Sequence, residues 1–388
     1  MDVRAIVLTG VEVDSNDHPA LVTGSPEIFS GIPFALLPVL GRPVLHYVAD
    51  RLKSAGVDSI SVLNAADSSL PLIEEARRSD LCWKDVPAVQ LWRTAEEEFD
   101  ELVQAGAEMV IVLRLGSYAE VEIDPLLQYH LDQRNHTTQV FAADGPLDFF
   151  VLCGSRRTDA RFVLRHRLAK MRVQTQSYQT YGYVNRLQTV GDLRRLTLDS
   201  FLGKTSIQPQ GKQIRPGIWV AEGARVNRHV RLVAPCYIGS HALVRTGSLI
   251  TRGSSLEHHS VVDRGTVVEA STLLPLSYLG AGLDLVHSVV GFKRMASIRH
   301  SAQLEIEDAS LVSLVPSTSA LRMLDHAMNL VTFLPREIFS SIFSKRKLRK
   351  SQPALERTTP GFAGNAVAQT VTQERQQLTA GVVARIRE

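Results

Sequence analysis

The run Leu256-Glu257-His258-His259-Ser260-Val261-Val262-Asp263-Arg264-Gly265-Thr266-Val267-Val268 decides how the second half of this chain folds, because its aliphatic residues recur at a spacing of six. Carrying that phase in both directions gives Val220, Val226, Leu232, Ile238, Val244, Ile250, Leu256, Val262, Val268 and Leu274, every one aliphatic. Four places after each of the first nine stand Ala224, Val230, Cys236, Ala242, Ser248, Ser254, Ser260, Thr266 and Thr272, all small or β-branched. At an aliphatic background of about 35–40%, such a run in one chosen phase would arise by chance in roughly one case in ten thousand. A β-sandwich would show a period of two without the period of six. The six-residue repeat specifies a parallel β-helix, in which three short strands make one triangular coil. The aliphatic residue faces the narrow interior, and the small residue sits near a corner where bulk would clash. Gly223, Gly247, Gly253 and Gly265 fall at corners that need unusual backbone angles. About five coils fit between Ile214 and Leu304. Pro275, Gly280 and Gly282 predict a protruding loop over 275–285, after which the phase resumes at Val286, Phe292, Ile298 and Leu304.

Residues 1 to about 205 read differently, as strands alternating with helices. Val3 to Leu8 is a β-rich apolar run, and Ile60 to Leu63 is the next strand. Between them, Val44, Leu45, Val48, Leu52 and Ala55 have helical spacing, with Pro43 suited to the first turn and Gly56 to the stop. Pro87 to Trp92 and Met109 to Leu113 are expected as further strands, flanking a helix at 94–105. Such alternation predicts a mostly parallel α/β sheet, whose ligand crevice lies at the carboxyl ends of the strands.

Chain length and charge set the outer limits. A chain of 388 residues, 44% hydrophobic and 21% charged, has room for two or three domains with ordinary cores. It contains no apolar run long enough to span a bilayer, and Met1-Asp2-Val3-Arg4 leads into an apolar strand rather than a secretory leader. Three widely spaced cysteines, Cys82, Cys153 and Cys236, suit a reducing cytoplasm and give no metal signature. The segment Lys345-Arg346-Lys347-Leu348-Arg349-Lys350 carries +5 of a formal net charge of +3, so the rest of the chain stands at −2. Positive charge confined to one cluster argues against nucleic-acid binding, which spreads it over a face. Residues 317–344 read as an amphipathic helical segment, with Leu321, Leu324, Ala327, Met328, Val331 and Leu334 on one face of a helix at 318–334 that can cap the coil. Pro335 breaks that helix, and residues 345–388 form the basic cluster and a tail rich in Gln, Thr, Ala and Gly.

The stretch Pro33-Phe34-Ala35-Leu36-Leu37-Pro38-Val39-Leu40-Gly41-Arg42-Pro43-Val44-Leu45-His46-Tyr47 resembles the second signature of the sugar-1-phosphate nucleotidyltransferases, the NDP-sugar pyrophosphorylases. These include mannose-1-phosphate guanylyltransferases and bifunctional acetylglucosamine-1-phosphate uridylyltransferases. The signature runs roughly Pro-Lys-x-Leu-x-Pro-Val-x-Gly-Lys/Arg-Pro-Leu-Ile-x-Tyr, and many members carry a hexapeptide β-helix after it. The resemblance covers residues 1 to about 310. It implies a Rossmann-like, GT-A-like α/β domain over 1–205 and a left-handed parallel β-helix over 206–316. The implied reaction is attack of a sugar phosphate on the α-phosphorus of a nucleoside triphosphate.

That chemistry needs a glycine-rich loop for the phosphates, a cation for the charge developed in transfer, and a carboxylate to hold Mg²⁺. The family's loop, Gly-x-Gly-Thr/Ser-Arg-Leu, corresponds here to Leu8-Thr9-Gly10-Val11-Glu12-Val13-Asp14, with a single glycine, no arginine and two acids that repel phosphate. The signature lysine falls at Phe34. The family's metal-binding Asp follows an apolar strand, but Met109 to Leu113 runs on into Arg114-Leu115-Gly116-Ser117, and Asp124 begins the next helix as an N-cap. These departures predict a catalytically degenerate domain that binds a nucleotide or sugar phosphate through Leu8, Thr9, Gly10, Arg42 and Arg114, in an accessory, regulatory or scaffolding role in polysaccharide biosynthesis. No cofactor is expected unless transfer is retained, in which case Mg²⁺ is required and Arg42, Arg93 or Arg114 replaces the lysine. A third reading is a hexapeptide acyltransferase with His258 or His259 as general base, the other coil histidines being His229, His241, His287 and His300. The coil's flat faces suit homo-oligomers. Ile338, Phe339, Ile342 and Phe343, followed by the basic cluster, make 338–350 a candidate contact with the inner face of a membrane.

Overall fold

Six of the seven residues of Val3-Arg4-Ala5-Ile6-Val7-Leu8-Thr9 are buried, Arg4 being the exception. A strand apolar on both sides has to be covered on both faces, and this one is an interior strand of a seven-stranded sheet. The computed structural model describes residues 2–9, 32–65, 71–154 and 176–315. The sheet strands are β1 (Val3–Thr9), β2 (Ser59–Asn64), β3 (Cys82–Asp85), β4 (Met109–Arg114), β5 (Thr137–Ala142), β6 (Gly145–Cys153) and β7 (Gln176–Gln179), in the spatial order β7-β5-β6-β4-β1-β2-β3. β1 pairs in parallel with β2 and β4, as β2 does with β3, while β6 runs antiparallel between β4 and β5. The sheet is therefore mixed, with its parallel half on the side of β1.

Helix α1 (Val44–Ser54) ends before Gly56, whose φ of +78° favours glycine. Together with the Phe34–Leu37 turn it covers the face of Ala5, Val7 and Ile111. Helix α2 (Pro71–Ala76) follows β2, and α3 (Leu91–Gln104) covers the opposite face, setting Trp92, Ala95 and Phe99 on Ile6, Leu8, Val110 and Val112. The strand expected at Pro87 to Trp92 is not formed. The strand is Cys82–Asp85, and Leu91 and Trp92 open α3 because Trp92, Ala95, Phe99 and Leu102 continue its apolar face at helical spacing. Nor does Asp124 cap α4 (Ile123–Asp132). Glu122 holds the cap position without a side-chain bond, and Asp124 lies in the first turn, where its charge meets the positive end of the helix dipole. Helix α5 (Val190–Phe201) begins with a capping box between Thr189 and Asp192.

From Ile218 the chain pairs with itself one coil later. Ile218–Val220, Cys236–Ile238, Ser254–Leu256, Thr272–Leu273 and Ser288–Gly291 form one parallel ladder. A second runs through Arg225–Val226, Leu243–Val244, Val261–Val262 and Ser277–Leu279, and a third through Arg231–Leu232, Leu249–Thr251, Val267–Glu269 and Asp284–Val286. Ile238, Val244, Ile250, Leu256, Val262 and Val268 line the interior at zero exposure. The small residues stitch successive coils together. Ser248 Oγ donates to the Asp263 carbonyl (2.7 Å), Ser254 Oγ to Val268 (3.0 Å) and Thr266 Oγ1 to Gly280 (2.5 Å). The corners stack left-handed residues, Gly223 over His241, His259 and Leu276 in one column and Gly247 over Gly265 and Gly282 in another.

Two expectations about the coil are corrected. There is no protruding loop over 275–285, because Ser277–Leu279 and Asp284–Val286 continue the ladders. What changes is the period. Leu249 pairs with Val267, whereas Leu256 pairs with Leu273, so the two-residue corner Arg252-Gly253 is answered by Ala270 alone. The inward phase slips back by one, to Leu273, Leu279 and Leu285. Leu274 turns outward into the core shared with the sheet, Phe292 and Ile298 pack against that core from outside, and Val286 and Leu304 are exposed. The coil ends at Gly291. Arg294–Ser297, Ala302–Glu305 and Val312–Leu314 then return antiparallel and close the ladders. The helix at 318–334, residues 338–350 and the tail lie outside the described residues.

Sheet and coil share one core, in which Ala221, Tyr237, Leu274 and Val289 join α1 and the sheet, and residues 1–322 form one compact unit. Arg194 of α5 is 3% exposed and lies over the Gly253 corner, donating from Nη1 to Thr272 Oγ1 (3.3 Å). The decisive polar contact is made by Glu257. Its buried carboxylate accepts the N–H groups of Leu40 (3.1 Å) and Gly41 (2.9 Å) and the Ser255 hydroxyl (2.5 Å). Burial pushes this carboxyl up to about 7 against the pull of those donors and of His258. Leu40 and Gly41 form the turn between Pro38–Val39 and Arg42–Pro43, with φ of +54° and +100°. A Cβ on Gly41 would lie 2.3 Å from the Tyr237 hydroxyl. Glu257→Ala leaves two buried amides without acceptors, at about 1–3 kcal/mol each. Urea unfolding should show a loss of about 2–5 kcal/mol, clearly larger than that of Ser255→Ala; Gly41→Ala should also destabilise.

Candidate functional site

The carboxyl ends of β1, β2, β3 and β4 carry Thr9, Asn64, Asp85 and Arg114, and antiparallel β6 brings Asp148 to the same edge. Leu8 contributes no side chain here, since it is wholly buried under α3. Thr9 is buried too, and its hydroxyl donates to Asn64 Oδ1 (3.0 Å) and the Leu63 carbonyl (3.4 Å). Their carbonyls are also engaged, that of Leu8 by Leu115 N–H (2.8 Å) and that of Thr9 by Ala65 N–H (2.9 Å). Asn64 Nδ2 donates to Asp85 Oδ1 (3.1 Å), which also accepts from Trp83 Nε1 (2.9 Å). Burial acts to raise the Asp85 carboxyl, but the Asn64 and Trp83 hydrogen bonds and the Arg77 charge together hold it below the usual carboxylate range. Arg114 donates from Nε to Asp148 Oδ2 (2.8 Å), with Nη2 on the same oxygen. Arg77 is paired with Asp85 (2.5 Å). Both guanidinium groups described at this edge are thus neutralised by carboxylates.

The remaining predicted residues are placed elsewhere. Phe34 is 5% exposed and lies in the core beside α1, so the position of the family's lysine is a packing position. Arg42 pairs with Asp50 (2.5 Å) and lies over the Tyr47 ring (5.1 Å), in a network with Arg78 on the α1 side. Arg42 and Arg114 are therefore held by different partners on different elements, not gathered into one cluster. Arg93 projects from α3 and pairs with Glu97 one turn on. Gly10, Glu12 and Asp14 lie outside the described residues. A groove of about 610 Å³ runs between α1, the start of α4 and Ser206, lined by Tyr47, Asp50, Arg51, Glu122 and Asp124. Arg51 is spent on Ser206 Oγ (2.8 Å) and lies 3.7 Å from Glu120, so the rim is mainly acidic and unsuited to phosphate.

His258 and His259 do come together, though not as a free general base. His258 Nε2 lies 2.8 Å from Glu75 Oε2 of α2, and its Nδ1 lies 3.3 Å from His259 Nδ1, so both ring nitrogens are engaged. The His259 ring stacks on His241 of the preceding coil at 5.0 Å. His287 occupies a left-handed corner, and His229 and His300 are exposed. Sequence reasoning missed Glu257, Arg194 and Glu75. Glu257 follows the inward Leu256 on a ladder strand, where charge normally faces water, and nothing local shows that a turn 216 residues earlier docks there. Among the described residues, no helix is long and apolar enough to cross a membrane.

No protein-family model matches the chain. A protein of Sulfolobus acidocaldarius named "Putative mannose-1-phosphate guanyltransferase" is 26% identical over 255 residues, covering 56% of this chain and 68% of that relative. The likeness supports a distant tie to the sugar nucleotidyltransferases, and the mixed α/β sheet with its parallel core fits the domain such proteins require.

Asp148 is the residue that neutralises Arg114 at the carboxyl edge of the sheet. Asp148→Asn should tighten binding of a nucleoside triphosphate by about tenfold, ~1.4 kcal/mol, measured by titration calorimetry at low salt. The gain should fade as salt is added.

Proposed function

We propose that this chain is a nucleotidyltransferase-like protein of nucleotide-sugar metabolism whose sheet domain keeps the family's scaffold without performing nucleotidyl transfer, and that it acts as an accessory or scaffolding component. The observation that carries this reading is the Arg114–Asp148 pair at the carboxyl edge of the sheet. A transferring phosphoryl group needs preorganised positive charge aimed at it, and Arg114, which the described residues place at that edge, is already paired with Asp148. The burial of Phe34 at the lysine position points the same way.

The remaining parts of the signature have a use in this reading. Leu40 and Gly41, in the turn between Pro38–Val39 and Arg42–Pro43, donate to Glu257 of the coil, so the motif serves as a joint between domains. For the second domain we take the arrangement to be a left-handed parallel β-helix. The 18-residue pairing interval over three ladders supports it, as does the aliphatic interior. A rigid rod of this kind suits self-association.

The test is direct. The purified chain is incubated with each nucleoside triphosphate, Mg²⁺ and a panel of sugar 1-phosphates, and pyrophosphate release is followed. We expect no turnover above a protein-free control, together with measurable binding of a nucleotide or a sugar phosphate. Sustained turnover that is abolished by Arg114→Ala would instead show an active enzyme with a divergent site.

A further inference from the structure

One cluster outside the crevice joins two imidazoles of the coil to a carboxylate of α2. It begins with the geometry of a corner. His241 and His259 occupy the same left-handed position on successive coils, with φ of +55° and +54°, and histidine is among the few side chains enriched there. The coil repeat then sets one ring over the other, 5.0 Å apart and 24° from parallel. That much is explained by the backbone alone.

His258 and Glu75 are not explained by it. His258 precedes the corner, its side chain is 13% exposed, and its Nε2 meets Glu75 Oε2 at 2.8 Å. If that nitrogen carries the proton given to the carboxylate, Nδ1 presents a lone pair. It faces His259 Nδ1 at 3.3 Å. Two imidazole nitrogens can face each other only with a proton or a metal ion between them. The separation matches the edge of a tetrahedron whose metal–nitrogen bonds are about 2.0–2.1 Å.

We propose that Glu75, His258 and His259 bind one divalent transition-metal ion of the zinc class. One donor atom from each lies within 4.8 Å of the others. The two Nδ1 atoms supply one edge of the site, Glu75 supplies an oxygen, and water completes the shell. Glu75 is the half-exposed member, with its side chain 42% accessible on the six-residue helix α2, so its carboxylate has the freedom to exchange its His258 Nε2 hydrogen bond for the ion. A set of two imidazoles and one carboxylate selects zinc, cobalt or nickel over magnesium and calcium, which take oxygen shells. On binding, the ring proton of His259 moves from Nδ1 to Nε2, so both imidazoles ligate as neutral rings. The ion ties α2 of the sheet domain to a corner of the coil, one residue from the Glu257 contact, so it acts as a fastener between domains rather than in transfer chemistry.

The experiment uses the untagged full chain, stripped with chelator and titrated with ZnCl₂ by calorimetry, with thermal melting in parallel. One zinc per chain is expected, with a melting temperature raised by several degrees and returned by chelator. His258→Gln and His259→Gln should each weaken binding by at least about tenfold, the range for lost metal-site groups, while His229→Gln, on an exposed residue outside the cluster, should not. Should a histidine variant fail to fold, Glu75→Gln on the surface of α2 supplies the same comparison, with weaker binding expected. A folded wild-type chain that takes up no stoichiometric zinc overturns the proposal. So does zinc binding that persists unchanged in the His258→Gln/His259→Gln double variant. Neither readout depends on turnover, so the outcome is separate from that of the pyrophosphate assay.

Discussion

A buried carboxylate with no cation bonded to it must be repaid by hydrogen bonds, and that requirement organises this molecule. Glu257 lies on the outer surface of the coil at 1% exposure, held by two backbone amides and one hydroxyl. The amides belong to a turn whose two residues both have positive φ, a conformation in which consecutive N–H groups converge on one anion. Glu257 is satisfied only with the turn docked, and the turn's amides only with Glu257 present. Around that joint the shared core can close, with Tyr237 against Gly41, Leu274 turned outward from the coil, and Phe201 stacked on Trp219 at 5.6 Å.

The joint also restricts what the stretch from Pro33 to Tyr47 can do. Conformational coupling between a motif and its neighbours restricts what the motif can do. In this chain the Gly41 turn is committed to a carboxylate of the second domain, Phe34 to the core, and Arg42 to Asp50 and the Tyr47 face. Each of these residues has a structural partner, and at the carboxyl edge of the sheet Arg114 and Arg77 are paired with Asp148 and Asp85.

Much of the architecture could be read from the sequence because its periods are strong. β1 and β4 are apolar on both faces, α1 is bounded by Pro43 and Gly56, and the coil holds its phase from Ile238 through Val268. The slip at Ala270 escaped for a specific reason. Downstream of it aliphatic residues come in pairs at Leu273-Leu274 and Leu285-Val286, so at those steps either phase finds an apolar side chain. The site was less legible. Arg114 could be found from its position after an apolar strand, but its cancellation by Asp148 depends on an antiparallel strand 34 residues on. Glu75 and His258 meet across 183 positions through the packing of two domains, and no local spacing rule reaches that far.

The single-residue corner at Ala270 also constrains how such a rod can be lengthened. A unit copied wholly upstream of it adds 18 residues, and every side chain keeps its face. A unit copied across it adds 17, and each such copy again sets a one-residue corner where Arg252 and Gly253 make two. Leu274 and Val289 after the short corner stand in the ladder positions that Glu257 and Tyr237 hold before it, and coils on both sides of the corner meet the sheet domain. The missing residue therefore shortens a coil while leaving the face turned toward the sheet unchanged.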